Sequence, residues 1–498
     1  MKASFNVNTN ANTLPFPHYW ELCVGSCHAY TALRADYQRM LTQAHEELGF
    51  QYVRFHGLFD DDMSVYTVNA LTEQELYSFH NIDVIFDFLL SIGMKPFIEL
   101  GFMPTALASG DKTCFLYKGN ITPPKSYDQW SELVNKFTTH VVERYGIEEV
   151  RTWFFEVWNE PNFSFFWSGS KEEYMKLYEY SARAIKQVDE HLKVGGPASA
   201  GNAWITDLIN YCNHNHVPLD FISSHHYPTS DPLGSIGDHE VFDIEAIMKM
   251  DKEDKNKMFA SLLNPHYERG VMAVMTEKAK QESGNLPLYY TEWNSAAFPY
   301  KQDDPYAAAF VVKTLADNVG LVEGYSFWTF SDIFEESVQQ SLPFHGGFGL
   351  LNIDGVPKPT YHAFSIMHEL GTERIPTEPC ELETLELCAT KKDSGLALIL
   401  YNHHTPEGEI SGAEVSIKIE GDLHGKQVTI RVIDEDHANP KAKWMEQGCP
   451  EYPTKLQIQE LFQASELISK PVELKETDDG WVIELYVKPH SVTAIDIC

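Results

Sequence analysis

The stretch Val150–Asn162, VRTWFFEVWNEPN, decides how this chain is read. Its first part is a dense run of aromatic and β-branched residues, the composition of a strand buried on both faces. It then runs into Asn159-Glu160-Pro161-Asn162. Proline cannot donate to a sheet ladder and pushes the residue before it towards an extended conformation. A strand is therefore expected over Val150–Trp158, stopping at Glu160. That leaves a carboxyl group at the mouth of a buried sheet, among Trp158, Phe163, Phe165, Phe166 and Trp167. Apolar surroundings disfavour the charged form of a carboxyl and raise its pKa, which suits a general acid working near neutral pH. A single strand-end glutamate is also an ordinary turn residue, so function depends on what else the chain brings to the same place.

Outward from this stretch, short apolar runs alternate with longer amphipathic ones eight times between Trp20 and Gly371. Strands are expected at Leu22–Gly25, Gln51–His56, Lys95–Gly101, Val150–Trp158, Lys193–Pro197, Asp220–Tyr227, Leu286–Trp293 and Gly324–Phe330. Helix-like stretches such as ADYQRMLTQAHEELG, NIDVIFDFLLSIG, YDQWSELVNKFTTHVVERYG and KEEYMKLYEYSARAIKQVDEHL lie between them. Ser126 with Gln129, and Ser170 with Glu173, have capping-box spacing at the start of the last two. Eight β-then-α units predict an α/β chain folded as a (β/α)8 TIM barrel over residues 15–371. A doubly wound open sheet would carry a Gly-rich phosphate turn after its first strand, and none is present.

Beyond Gly371 the texture changes to strand-like runs, GLALILYNH, AEVSIKIEG, QVTIRVIDED, GWVIELYVK and SVTAIDIC, with one helix-like insert near Leu456–Leu467. Residues 372–498 are expected to form a β-sandwich, joined by a strand from residues 1–14 and packed on the barrel rather than tethered to it.

Composition narrows the function. Of 498 residues, 43% are hydrophobic and 13% aromatic, which places the chain among folded globular proteins. A formal net charge of −34 argues against nucleic acid or an anionic membrane as partner, since both are polyanionic. MKASFNVNTNANTLPF has no apolar core of a secretory signal, and no run of about eighteen apolar residues suggests a membrane span. With eight scattered cysteines and no CxxC pair, reduced thiols in a cytoplasm are expected.

In a (β/α)8 barrel, chemistry is built at the C-terminal ends of the strands. Side chains two apart share a face, so Arg54 and His56 go together, as do His225 and Tyr227, while His226 points away. The seventh strand ends in Glu292, followed by Trp293 and Asn294. The eighth delivers Trp328, then Asp332, Glu335 and Glu336. By the same period Glu156 shares a face with Trp158 and Glu160, which predicts that Arg54 meets Glu156 or Glu99 in a charged network beneath the site. Two strand-end carboxyls with aromatic faces and hydroxyl-gripping groups are what glycosidic bond cleavage requires. No HExxH or comparable ligand spacing points to a metal, and no cofactor is implied. The loops around Phe102–Pro124 and Ser331–Phe348 are long enough to close a pocket, which favours an exo-acting enzyme over an open groove.

WNEPN and TEWN at these two strand ends resemble the large group of retaining (β/α)8 glycosidases. With YVRFHG, FIELGFMP, ALASGDKT, KGNITPPK, GIEEVRTWFFEVWNEPNFSFFW, FWTFSDIFEE, FHGGFGL and PKPTYHAF, the chain resembles the β-xylosidases of glycoside hydrolase family 39 over nearly its whole length. TEWNSAAFP (291–299) and HHYPT (225–229) depart from that family's pattern. The resemblance implies Glu160 as acid/base, Glu292 as nucleophile and Asn159 on the sugar 2-hydroxyl. It implies a xylose pocket from Arg54, His56, Phe115, His225, Tyr227, Trp328 and one of Glu335 and Glu336. The expected substrate is a short β-linked xylo-oligosaccharide; self-association into a homo-oligomer is left undecided. An iduronidase-like or arabinosidase activity within the family, or a carbohydrate-binding protein without catalysis, are the alternatives.

Overall fold

The computed structural model describes residues 1–230, 249–253, 266–336, 341–393, 395–478 and 480–498. At its centre eight parallel strands close into a barrel: β1 Cys23–His28, β2 Tyr52–His56, β3 Lys95–Leu100, β4 Phe154–Val157, β5 Lys193–Ala200, β6 Phe221–His226, β7 Leu288–Trp293 and β8 Gly324–Phe327. Among the described residues, eight helices surround it: α1 Ala35–Leu48, α2 His80–Ser91, α3 Tyr127–Tyr145, α4 Lys171–Val188, α5 Ile205–Asn215, α6 Val271–Ser283, α7 Pro305–Asp317 and α8 Pro359–His368. Phe97, Phe154 and Phe221 plug the barrel floor with Cys23 and Tyr52.

The decisive stretch is shorter as a strand than its composition predicts. Val150 closes a helical turn, Ile147–Val150, and pairing begins only at Phe154. Glu149 drives this: its carbonyl accepts from Thr152 Oγ1 at 2.7 Å and its carboxylate from Trp153 Nε1 at 2.9 Å, which keeps the chain curled. The strand also ends early, at Val157. Trp158 and Glu160 then take φ of 71° and 42°, so Glu160 is left-handed rather than extended as the following proline suggests. The Glu160 N–H donates to Ala198 O at 2.9 Å, tying this strained turn to β5.

Capping is as expected at α4, where Ser170 and Glu173 form the full reciprocal box. At α3 only half of it exists. Ser126 accepts from Gln129 N, but the Gln129 amide reaches to Glu75 instead.

The C-terminal region forms two sheets. Four strands run in the order Lys2–Asn8, Ala413–Glu420, Gly480–Val487 and Lys475–Thr477, with the N-terminal strand parallel to its neighbour. Seven run in the order Leu14–Pro15, Glu373–Ile375, Leu385–Lys392, Gly395–Asn402, Ser491–Ile497, Val428–Ile433 and Lys470–Val472. The insert near Leu456–Leu467 is a helix, Lys455–Ser465, and a shorter one, Pro440–Glu446, precedes it. Gly395–Asn402 is buried on both faces with strict alternation. Leu396, Leu398 and Leu400 face the other sheet, while Ala397, Ile399 and Tyr401 join the barrel's own core. Helix α7, PYAAAFVVKTLAD, is accordingly buried almost all round, because it is caught between barrel and sheet.

Candidate active site

Arg54, on β2, is fully buried and holds the base of the site together. Its Nε donates to Glu156 Oε2 at 2.5 Å, Nη1 to Glu292 Oε1 at 2.9 Å and Nη2 to Asn159 Oδ1 at 3.0 Å. Nη2 also lies 2.9 Å from Glu99 Oε2. The charged network expected beneath the site is therefore present, with both carboxylates engaged. Burial alone would lower the guanidinium's pKa, but Glu156, Glu99 and Glu292 outweigh it and keep the group charged. An arginine so occupied serves three strands at once and has its named donors turned towards protein acceptors.

Glu160 and Glu292 face each other above this layer. One oxygen from each, with a ring nitrogen of His225, lie within 4.8 Å of one another. Glu160 Oε1 is 2.9 Å from His225 Nδ1, and Glu292 Oε2 accepts from Tyr227 Oη at 3.1 Å. Burial pushes both carboxyls up. Glu160 is raised well above the ordinary range, by desolvation first and then by the charge of Glu292, with Arg54 opposing. In Glu292 desolvation is opposed by Arg54, His56 and the Tyr227 hydrogen bond, so its rise is smaller. Two like side chains are thus driven apart by their neighbours. His225 is pushed the other way, well below the usual imidazole range, by burial and then by Arg54 and His56. Both Glu292 oxygens are already hydrogen-bonded, one to a guanidinium, so this trio is a poor cation ligand set. A second trio, His18, Glu21 and His368, lies elsewhere, both histidines hydrogen-bonded to Glu21 Oε1.

The remaining predicted residues fall as follows. His56 Nδ1 is 2.7 Å from Glu99 Oε2, and its Nε2 is 3.6 Å from both Glu292 and Glu336. Trp328 packs on His56 at 4.8 Å between ring centroids, seated over Gly25, where an added Cβ would come within 2.7 Å of the indole. Phe115, at φ 60°, stacks on His56 at 6.3 Å between ring centroids. Glu336 lies half-buried beside His56, whereas Glu335 turns outward to Arg34 at 3.2 Å. Burial, then Glu292, Glu160 and Glu99, raise the Glu336 carboxyl well above its ordinary range. His226 points away, as alternation predicts, and stacks on Tyr290. Asp332 sits behind the site in a buried triad with Lys358 and Asp303. The two expected loops do meet, Leu116 N donating to Glu336 O at 3.2 Å, although residues 337–340 lie outside the described residues.

Two residues escaped sequence reasoning. Tyr117 follows Phe115 at period two, and its buried hydroxyl has no hydrogen-bond partner among the described residues. The Asn159 Nδ2 and Glu336 Oε1 atoms share that condition, so the pocket carries several groups suited to ligand hydroxyls. Thr291 precedes Glu292 and ought to face the opposite way, yet its Oγ1 is 3.1 Å from His225 Nε2. The pairing register between β6 and β7 slips there, from Ser224 opposite Tyr290 to His225 opposite Glu292, leaving Thr291 as an inserted residue.

The model of the glycosyl hydrolases family 39 matches residues 3–480. A β-xylosidase of Caldicellulosiruptor saccharolyticus is 48% identical over 487 residues, 96% of this chain and 95% of that one. A β-xylosidase of Geobacillus stearothermophilus is 36% identical, covering 99% of this chain and 95% of its own. The solved structure of a family 39 β-xylosidase from Caulobacter crescentus superposes with a TM-score of 0.80 at 30% identity, over 99% of both chains. With a closed parallel barrel and a buried carboxyl pair at its C-terminal mouth, this chain belongs to family 39 of the glycosyl hydrolases.

Proposed function

We propose that the protein is an exo-acting retaining β-xylosidase, releasing xylose from short β-linked xylo-oligosaccharides, with Glu160 as acid/base and Glu292 as nucleophile. The observation that carries the reading is the approach of the Glu160 and Glu292 oxygens to within 4.8 Å in one buried site. Retaining enzymes hold their carboxyl groups roughly 5–5.5 Å apart, whereas inverting ones leave about 6.5–9.5 Å for a water. In the first step the Glu160 proton passes to the glycosidic oxygen as the bond to C1 breaks. Glu292, kept ionised by Arg54, His56 and Tyr227, forms an ester with C1. In the second step Glu160 takes a proton from water, whose oxygen attacks C1 and releases Glu292. Asn159 Nδ2 serves the 2-hydroxyl. His56, Phe115, His225, Tyr227, Trp328 and Glu336 surround the sugar, and Arg54 acts through Glu292 rather than on the ligand.

The β-xylosidase relatives support the choice of sugar. An iduronate would call for a free cation, and Arg54, the only cation among the pocket residues named above, is spent on carboxylates. The joined loops support exo action. Among the described residues no helix is long and apolar enough to cross a membrane. Among the described residues no disulfide joins any of the cysteines, which suits a reducing cytoplasm.

A panel of aryl glycosides differing only in sugar tests this. The xyloside should be cleaved best, because a close-fitting pocket excludes a C5 hydroxymethyl group, and equal cleavage of the glucoside would overturn the sugar assignment. Glu292→Gly should abolish turnover with every leaving group. Glu160→Ala should retain glycosylation by a dinitrophenyl xyloside and, with added azide, give the β-xylosyl azide. An α-azide, or activity retained by Glu292→Gly instead, would overturn the residue assignment.

A further inference from the structure

A chain of hydrogen bonds leads from the Arg54 layer up to Glu160. Glu156 Oε2 is held by Arg54 Nε, and Glu156 Oε1 accepts from Thr291 Oγ1 at 2.8 Å. Thr291 Oγ1 lies 3.1 Å from His225 Nε2, and His225 Nδ1 lies 2.9 Å from Glu160 Oε1. Each link fixes the direction of the next. A carboxylate paired with a guanidinium only accepts, so the threonine's one proton points to Glu156. Towards His225 the hydroxyl can then only accept, which puts a proton on Nε2. Burial beside Arg54 and His56 leaves the imidazole neutral, with a single ring proton. Its Nδ1 is therefore bare, and a bare nitrogen facing an ionised carboxylate would set two acceptors against each other. The contact is satisfied only when Glu160 is the donor.

We infer that Thr291 and Glu156 are positioning residues which lock His225 in its Nε2–H tautomer and thereby keep the proton on Glu160. The inference rests on the reading of Glu160 as acid/base. It adds a device the two carboxyls alone do not supply. The same bare nitrogen favours a loaded acid before glycosidic cleavage and a strongly basic carboxylate afterwards. Other titratable groups facing Glu160 and His225 are Arg54 and His56 from β2, Glu99 from β3, His226 from β6, Glu292 from β7, and Glu336 after β8. Arg54 favours ionisation of Glu160, while Glu292 and Glu99 oppose it. Glu292 Oε2, at 3.6 Å from His225 Nδ1, would favour a proton on that nitrogen, but it lies beyond hydrogen-bond distance and already accepts from Tyr227 Oη.

The experiment is the pH profile of kcat/KM for Thr291→Val and Thr291→Ser beside wild type. Valine keeps the shape but removes the acceptor, freeing His225 to carry its proton on Nδ1 and to stabilise ionised Glu160. The alkaline limb should move down by about one pH unit in Thr291→Val, while Thr291→Ser should keep the wild-type limb. An unmoved or upward-moving limb in Thr291→Val would overturn the inference. Long-range 1H–15N NMR of histidine-labelled wild type, with His225 assigned by substitution, reads the tautomer in the unaltered protein. Nε2–H is expected, and Nδ1–H would overturn the relay. Failure of azide rescue in Glu160→Ala would instead bring down the acid/base reading itself, so the two failures are distinguishable.

Discussion

Glu160 and Glu292 are the same side chain in one buried pocket, and their neighbours decide which keeps its proton. Glu292 has a guanidinium and a phenol hydroxyl, which favour the carboxylate; Glu160 has a neutral histidine and the charge of Glu292. The kcat/KM profile should accordingly be bell-shaped, with Glu292 setting the acid limb and Glu160 the alkaline one. The same asymmetry costs stability. Because the folded-state pKa of Glu160 is raised, its contribution is complete below the unfolded pKa and is lost as pH rises through the folded one. Glutamine cannot ionise. Glu160→Gln should therefore unfold later than wild type by about 0.5–2 kcal/mol, with the gap widening as pH rises above the ordinary carboxylate range. Denaturation series at several pH values would show it, and a gap independent of pH would contradict it. Arg54→Met should act oppositely, leaving Glu99, Glu156 and Glu292 buried without their shared counter-ion at a cost of about 3–5 kcal/mol.

At the scale of elements, the positions of the eight strands and the pairing of Arg54 with Glu156 were legible in the sequence because both follow from alternation. What was not legible arises where alternation breaks. Thr291 faces the site through a register slip between β6 and β7, which no periodicity announces. Val150 and Trp153 carry strand composition, yet the hydrogen bonds of Glu149 hold them in a turn. Glu335 and Glu336 are chemically alike in a sequence, and only Arg34 beside one and His56 beside the other separate them. The two helix starts, similar on paper, make another test of local chemistry. Ser170→Ala removes a reciprocal cap and should destabilise by about 1 kcal/mol. Ser126→Ala removes a single long bond of 3.4 Å and should cost less. Equal losses in chemical denaturation would contradict this.

Across the whole molecule, the seven-stranded sheet closes part of the barrel's apolar interior with one face and a second core with the other, since alternate residues of Gly395–Asn402 belong to the two. We propose that residues 15–371 form the catalytic unit and that 372–498, with 1–14, form a sandwich fixed against it. Arg431 clamps Glu369 bidentately, at 2.7 and 2.6 Å, and reaches Asp496 at 2.9 Å, pinning the end of α8 to the sheet. Deleting residues 1–8 withdraws Phe5 and Val7 from the sandwich core. At about 1.5–3 kcal/mol each this should lower stability by roughly 3–6 kcal/mol while leaving kcat on an aryl xyloside unchanged. A fall in kcat at a temperature where the shortened chain is folded would contradict that division. The central claim is that bond cleavage passes through an ester between xylose and Glu292. It is tested most directly by incubating the protein with 2-deoxy-2-fluoro-β-xylosyl fluoride, which slows the second step more than its good leaving group slows the first. Peptide mass mapping should then place one fluoroxylosyl group on Glu292. A label on any other residue, or activity undiminished with no label at all, would contradict it.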